Sequence, residues 1–124
     1  MKKEIRTEKA PLPIGPYSQA VQAGNMLFVA GQIGVDPSTT QMHEGVEAQT
    51  RQIMESVNAI LKEAGASMDD VVRADIYLLD MTDFAKVNEI YASYFTAPFP
   101  ARVTVAVSAL PKDALVEIAV AATI

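Results

Sequence analysis

The segments ARVTVAVSA (101–109) and LVEIAVAAT (115–123) alternate as strands do, yet neither of their faces is polar. In the first, Val103, Val105 and Val107 point one way while Arg102, Thr104, Ala106 and Ser108 point the other. In the second, Val116, Ile118, Val120 and Ala122 oppose Leu115, Glu117, Ala119 and Ala121. Strands of this kind need cover on both sides, and the chain offers only two helical stripes to supply it. One carries Val46, Ile53, Met54, Val57, Ile60, Leu61 and Ala64, and Gly65 ends it. The other runs from about Thr82 to Phe95, with Asp80 or Thr82 as cap and Phe84, Val87, Tyr91, Tyr94 and Phe95 at helical spacing; Pro98 and Pro100 stop it. Both helices are expected to lie on one sheet face. The other face is then an apolar patch, and the pattern predicts self-association through sheet surfaces.

The remaining elements complete a mixed α+β layout. Residues 1–16, which end in PLPIGP, read as a structured loop or arm, because Pro11, Pro13 and Pro16 each lack a backbone donor. Tyr17–Ala23 and Met26–Ala30 read as a hairpin, and Val71–Leu79 as a largely buried strand. The expected order is two strands, helix, strand, helix, two strands, with LPKDA joining the last pair. Strand-helix-strand material occurs twice, with too little sequence similarity between the halves to establish a repeat.

At 124 residues with 50% hydrophobic side chains, the chain is expected to form one domain spanning 1–124 with an ample core. Cys 0 excludes disulfides, thiol nucleophiles and thiolate metal sites. The net charge of −5 and the scattered basic residues make nucleic acid an unfavourable partner. No apolar run approaches the roughly 20 residues of a membrane span, and the first residues lack the apolar core of a signal peptide, so the expected location is the cytoplasm.

Two charges inside otherwise apolar strands are the most informative residues: Arg102 in PARVTVAV and Glu117 in LVEIAVAA. An unpaired buried charge is costly. Either the two pair with each other, or each lies at a strand end with its head in water, or both face a cleft. In a cleft, Arg102 would offer its planar fork to a carboxylate and Glu117 would handle a proton or place a water. Gly31, in VAGQIGVD, is either a turn residue or a point where backbone N–H groups approach an oxygen. Tyr17, in IGPYSQAV, is either a core aromatic or a ring over a small planar ligand. His43 stands alone, without HExxH or a second ligand at metal spacing, and reads as a surface residue. Ser18, Ser93 and Ser108 have no histidine at a recognisable triad spacing. Met26 and Met54 read as core filler, and Asp69, Asp70, Asp75, Asp80 and Asp83 as caps and turns. GQIG has no phosphate-loop or dinucleotide pattern.

IGPYSQAV, VAGQIGVDP, PARVTVAV and LPKDALVEIAVAAT, together with DMTDFAKVNEIYASYF, span the chain in order and resemble the RidA/YjgF family of reactive-intermediate deaminases. Similar proteins are also labelled endoribonuclease L-PSP or translation inhibitor. The resemblance implies a chorismate-mutase-like (YjgF-like) domain with a mixed β-sheet and two helices on one face. It also implies a homotrimer with a central β-barrel and ligand sites in clefts between subunits. Arg102 would then hold the carboxylate of a 2-imino acid and Glu117 would position water. Gly31 would give a backbone contact, and Tyr17 and Thr104 would line the pocket.

The implied reaction converts 2-aminoacrylate or 2-iminopropanoate, released by pyridoxal-phosphate-dependent serine or threonine dehydratases, into a 2-keto acid and ammonia, with no cofactor and no metal. Two positions depart from the familiar pattern. Thr104 stands where many members have cysteine, and Ala30 where many have serine. The competing readings are a non-catalytic trimer that binds 2-keto acids, and an endoribonuclease.

Overall fold

The computed structural model describes residues 1–124. Its elements are β1 (Lys2–Ile5), β2 (Ala20–Ala23), β3 (Met26–Gln32), α1 (Val46–Glu63), β4 (Val71–Leu78), α2 (Phe84–Ala92), β5 (Ala101–Ala106) and β6 (Val116–Thr123). The strands form one mixed sheet in the order β1-β2-β3-β6-β4-β5. β3 and β4 both pair antiparallel with β6, so they run parallel to each other with β6 between them. α1 makes that crossover, and α2 makes the crossover between the parallel neighbours β4 and β5. The repeated strand-helix-strand material is therefore two crossover units sharing one sheet, a single α+β domain.

The helices lie on one face, as their stripes require. Ile53, Met54, Val57, Ile60 and Leu61 of α1 are fully buried against Leu27, Ile76, Leu78, Val116 and Ile118 of the sheet. Each such side chain contributes about 1.5–3 kcal/mol on leaving water. α1 ends in a Schellman arrangement: Ala66 N–H donates to Leu61 O (2.9 Å), Gly65 N–H donates to Lys62 O (3.0 Å), and Gly65 takes φ +82°. Gly34 lets the chain pass close to α1, since a Cβ there would meet the Gln49 backbone at 2.5 Å. Buried Gln49 ties this layer together, donating to His43 O and accepting from Leu115 N–H.

The alternation in the last two strands sorts their residues as expected. Ala74, Arg102 and Val120 lie in one cross-strand row on the helix-covered face, as do Ile76, Thr104 and Ile118. Tyr77, Val105 and Glu117 share a row on the open face, and so do Asp75, Val103 and Ala119. That open face carries Phe28, Val103 and Val105 at 48%, 40% and 39% exposure. Its polar groups are Glu117, the Tyr77 hydroxyl, Thr123, the Arg73–Asp75 pair (2.9 Å) and, at the β1 edge, Lys2 and Glu4.

Several boundaries differ from the sequence reading, among them β3, which runs on to Gln32, and β5, which ends at Ala106. Part of the N-terminal arm is β1, whose exposed Lys2, Lys3 and Glu4 give no apolar alternation; charge of this kind suits a sheet edge. β2 begins at Ala20 rather than Tyr17, with Gln19 at its start directing its side chain to the preceding loop. The second helix is shorter: Met81–Asp83 is a 3₁₀ turn whose cap, Asp80, accepts from Thr82 N–H (2.9 Å), and the helix ends at Ala92. Tyr94 and Phe95 then turn inward through bonds to Tyr91 O and Ala92 O. LPKDA connects two sheet strands, as expected; β5 pairs with β4 and not with β6, so the connection carries the chain across β4. No helix is long and apolar enough to cross a membrane.

Candidate active site

Arg102 is the second residue of the edge strand β5, and its side chain lies over α2. Phe84, Asn88 and Tyr91 occupy one stripe of that helix at i, i+4 and i+7. Arg102 Nη1 donates to Asn88 Oδ1 at 2.6 Å, and the guanidinium carbon stands 5.1 Å from the Tyr91 ring centre and 5.6 Å from that of Phe84. The chain's ion pairs are Arg73–Asp75 and a longer His43–Asp36 contact at 3.8 Å, so Arg102 has no carboxylate partner. Beside it opens a cavity of about 420 Å³, lined by Asn88, Tyr91, Ala92, Phe99, Pro100 and Arg102. Tyr91, Ala92 and Phe99 on one part of the lining and a cationic fork on another suit a small carboxylate that carries an organic tail.

Thr104 follows on the same face, and its Oγ1 is buried without a hydrogen-bond partner, as is the Tyr91 hydroxyl. Burial pushes the Tyr91 phenol above its ordinary pKa, with Arg102 pulling the other way.

Glu117 sits on the opposite face, one residue into β6. Its carboxylate rests on the Cα of Gly31: a Cβ there would overlap Oε2 and come within 2.9 Å of the carboxyl carbon. Gly31 lies where the β3–β6 register shifts between Val29 and Gln32, a bulge that brings the backbone against the acid. Burial raises the Glu117 pKa above the ordinary 4.5, and no cation opposes the shift. The loop carrying Tyr17 joins this side, since Ala30 N–H donates to Gln19 O at 2.8 Å. Gln19 anchors that loop from within: it is 1% exposed, accepts from Thr7 N–H (2.7 Å) and donates to Thr7 O and Pro11 O. Tyr17 itself is half-exposed, its ring over Gly15.

The candidates therefore fall into two groups. Gly31 and Glu117 meet on the open face, Arg102 and Thr104 lie on the helix-covered one with Arg102 bonded to α2, and Tyr17 touches neither group. Arg102 and Glu117 neither pair nor share a cleft within one chain, because β4 separates β5 from β6 and their side chains leave the sheet in opposite directions. Both stand near strand starts, as one of the simpler readings had it, with Arg102 exposed and Glu117 partly buried. Sequence reasoning passed over Asn88, Phe99 and Gln19, and placed Tyr91 only as a helix-stripe residue. The available signal was the i+4 and i+7 spacing of Asn88 and Tyr91 from Phe84. His43 stands by Gln52 (3.1 Å) at the approach to α1, in neither group.

Comparison with known proteins agrees with this architecture. The family model described as Endoribonuclease L-PSP matches residues 7–124. A RutC family protein of Pyrococcus horikoshii is 58% identical over 119 residues, covering 95% of this chain and 94% of that protein. Reactive Intermediate Deaminase A, chloroplastic, of Arabidopsis thaliana is 49% identical, covering 100% of this chain and 67% of the plant protein. The crystal structure of E. coli TdcF with bound serine superposes with a TM-score of 0.95 at 41% identity, covering 98% of each chain. A match over nearly the whole sequence, with the same fold, places the chain in the RidA/YjgF/RutC (endoribonuclease L-PSP) family.

Proposed function

We propose that the chain is an enamine/imine deaminase, a hydrolase that converts 2-iminopropanoate and 2-iminobutanoate into 2-keto acids and ammonia. The observation that carries this reading is the guanidinium of Arg102, held by α2, free of any carboxylate and facing a cavity lined in part by Tyr91, Ala92 and Phe99. A 2-imino acid supplies what that arrangement lacks, a small anion with a short tail. The plant relative's name and the serine bound to E. coli TdcF support the same ligand class.

In the reaction R–C(=NH2+)–COO− + H2O → R–C(=O)–COO− + NH4+, Arg102 holds the carboxylate so that C2 faces the water. Glu117 takes a proton from the water as its oxygen bonds to C2, then returns it to the nitrogen. The C–N bond breaks as the C=O bond forms, and Glu117 takes the hydroxyl proton and passes it to the departing ammonia, which leaves as NH4+. A carboxyl whose pKa burial has raised is a better proton carrier near neutral pH than an exposed one. The electrophile is already activated, so orientation and charge placement carry the catalysis, with no cofactor or metal assigned a role.

The proposed unit is a homotrimer with a central barrel. Two observations support assembly: the open sheet face exposes Phe28, Val103 and Val105, and the proposed acid and clamp point away from each other within a chain. A site containing both then needs Arg102 from one copy and Glu117 from the next, with Gly31 and Tyr17 beside Glu117 and Thr104 beside Arg102. Pyridoxal-phosphate-dependent dehydratases would supply the substrate. The net charge of −5 counts against the endoribonuclease reading.

The test is keto-acid release from 2-aminoacrylate generated in place by a dehydratase. Wild type should accelerate release, and Arg102→Ala and Glu117→Gln should each lose it. Co-assembling those two variants in equal amounts should rebuild about one quarter of the sites, because each contributes the residue the other lacks. No acceleration by wild type rejects the deaminase reading, and co-assembled variants that stay inactive reject the shared site.

A further inference from the structure

Three α2 side chains meet Arg102, and they do different things. Asn88 takes one N–H, which fixes a single point and leaves the guanidinium free to pivot about that bond. Phe84 is only partly buried, at the rim. Tyr91 is 3% exposed and is locked against Phe95, with ring centres 4.8 Å apart at 49°. Its hydroxyl is buried and bonds to nothing. Arg102 stands over the ring of Tyr91, whose position is fixed by burial and by the Phe95 contact.

We propose that Tyr91 is a positioning residue, whose ring face fixes the plane of the Arg102 guanidinium so that the remaining donors stand ready for a substrate carboxylate. This rests on the reading of Arg102 as the carboxylate clamp. A guanidinium on a flexible stem loses freedom when it binds, and a cation held beforehand over an aromatic face has already lost it. The rigid ring removes the pivot that the Asn88 bond leaves, and its negative face keeps the cation in place without neutralising it. A carboxylate at that position would also hold the arginine, but would cancel the charge the ligand needs.

The test compares wild type, Tyr91→Phe and Tyr91→Met in the assembled protein, with pyruvate as the probe. Tyr91→Phe keeps the face and removes only the unpartnered hydroxyl, so its pyruvate Kd should stay within about twofold of wild type. Tyr91→Met fills the space with a flexible aliphatic chain, and should weaken pyruvate binding by about 5- to 30-fold. Its KM for the imine should rise alongside, with kcat changed far less. In NMR spectra of wild type and Tyr91→Phe, the Arg102 side-chain protons should carry an upfield ring-current shift that is reduced in Tyr91→Met.

A folded Tyr91→Met protein with wild-type affinity overturns the proposal, as does a Tyr91→Phe protein weakened as much as Tyr91→Met. Absence of the ring-current shift in wild type also overturns it, and that measurement needs no variant to fold. If wild type releases no keto acid but pyruvate binding follows the expected order, the deaminase reading falls while the positioning role stands. If wild type does not bind pyruvate, the clamp and the proposal fall together.

Discussion

A single methyl group added at Gly31 is expected to disable the proposed acid without unfolding the chain. The Cβ of Gly31→Ala would overlap Glu117 Oε2 and stand 2.9 Å from the carboxyl carbon, where ordinary contact begins at 3.4 Å. The carboxyl carbon must therefore retreat by at least half an ångström and the oxygen by more, about 1 Å in all, a misplacement of the size that costs on the order of 10²-fold in rate. Gly31 is not among the residues with positive φ, so alanine brings no backbone strain, and the group in its way is the free end of a flexible side chain. Thermal stability should thus change by less than about 1 kcal/mol. The assay is keto-acid release, with the double variant Gly31→Ala/Glu117→Gln as control. If the methyl acts only through the acid, the double variant is no slower than Glu117→Gln alone. Wild-type activity in Gly31→Ala would refute the steric argument and return Gly31 to the simpler role of lending a backbone N–H, which alanine keeps.

Three further outcomes follow from the geometry. Gln19→Ala strands the buried backbone groups of Thr7 and Pro11 and should cost about 3 kcal/mol. Thermal denaturation should show a loss of roughly 10 °C, and an unchanged midpoint would mean that water replaces the amide. Thr104→Val removes a buried, unpartnered hydroxyl and should stabilise the protein by about 1 kcal/mol; a loss of stability would show that Oγ1 has a partner supplied by a second copy or a ligand. Glu117 has its folded pKa raised by burial, so the unfolded chain ionises first as pH rises and stability falls from about the ordinary 4.5 upward through the folded value. Denaturation of Glu117→Gln should accordingly match wild type near pH 4 and exceed it at pH 7. An equal gap at both pH values would mean that ionisation is not the cause.

What could be read from the sequence was whatever rested on periodicity. Alternation in 101–106 and 116–123 sorted the residues onto their faces, and the α1 stripe with Gly65 behind it located that helix almost to the residue. β1 escaped because an edge strand of Lys2, Lys3 and Glu4 has no buried face to betray it. The second helix was read too long because Tyr94 and Phe95 continue its apolar spacing while their backbone turns away. Arg102 and Glu117 stood out because charge inside an apolar strand needs a reason. Their placement on opposite faces was already implicit in the alternation, yet the pairing of β6 with β4 and β4 with β5, which decides how the two faces line up, depends on crossovers that local spacing does not encode. Asn88 and Gln19 escaped because an amide at a helix surface or in a loop looks solvated until its partner is seen.

The opposed directions of Arg102 and Glu117 bear on how such a protein responds to its own abundance. A lone copy would carry a clamp with no acid in reach and an acid with no clamp, so in the proposed assembly turnover would begin only when copies meet. At concentrations where assembly is incomplete, activity would rise more steeply than in proportion to the amount of chain, and dilution would silence the protein without unfolding it.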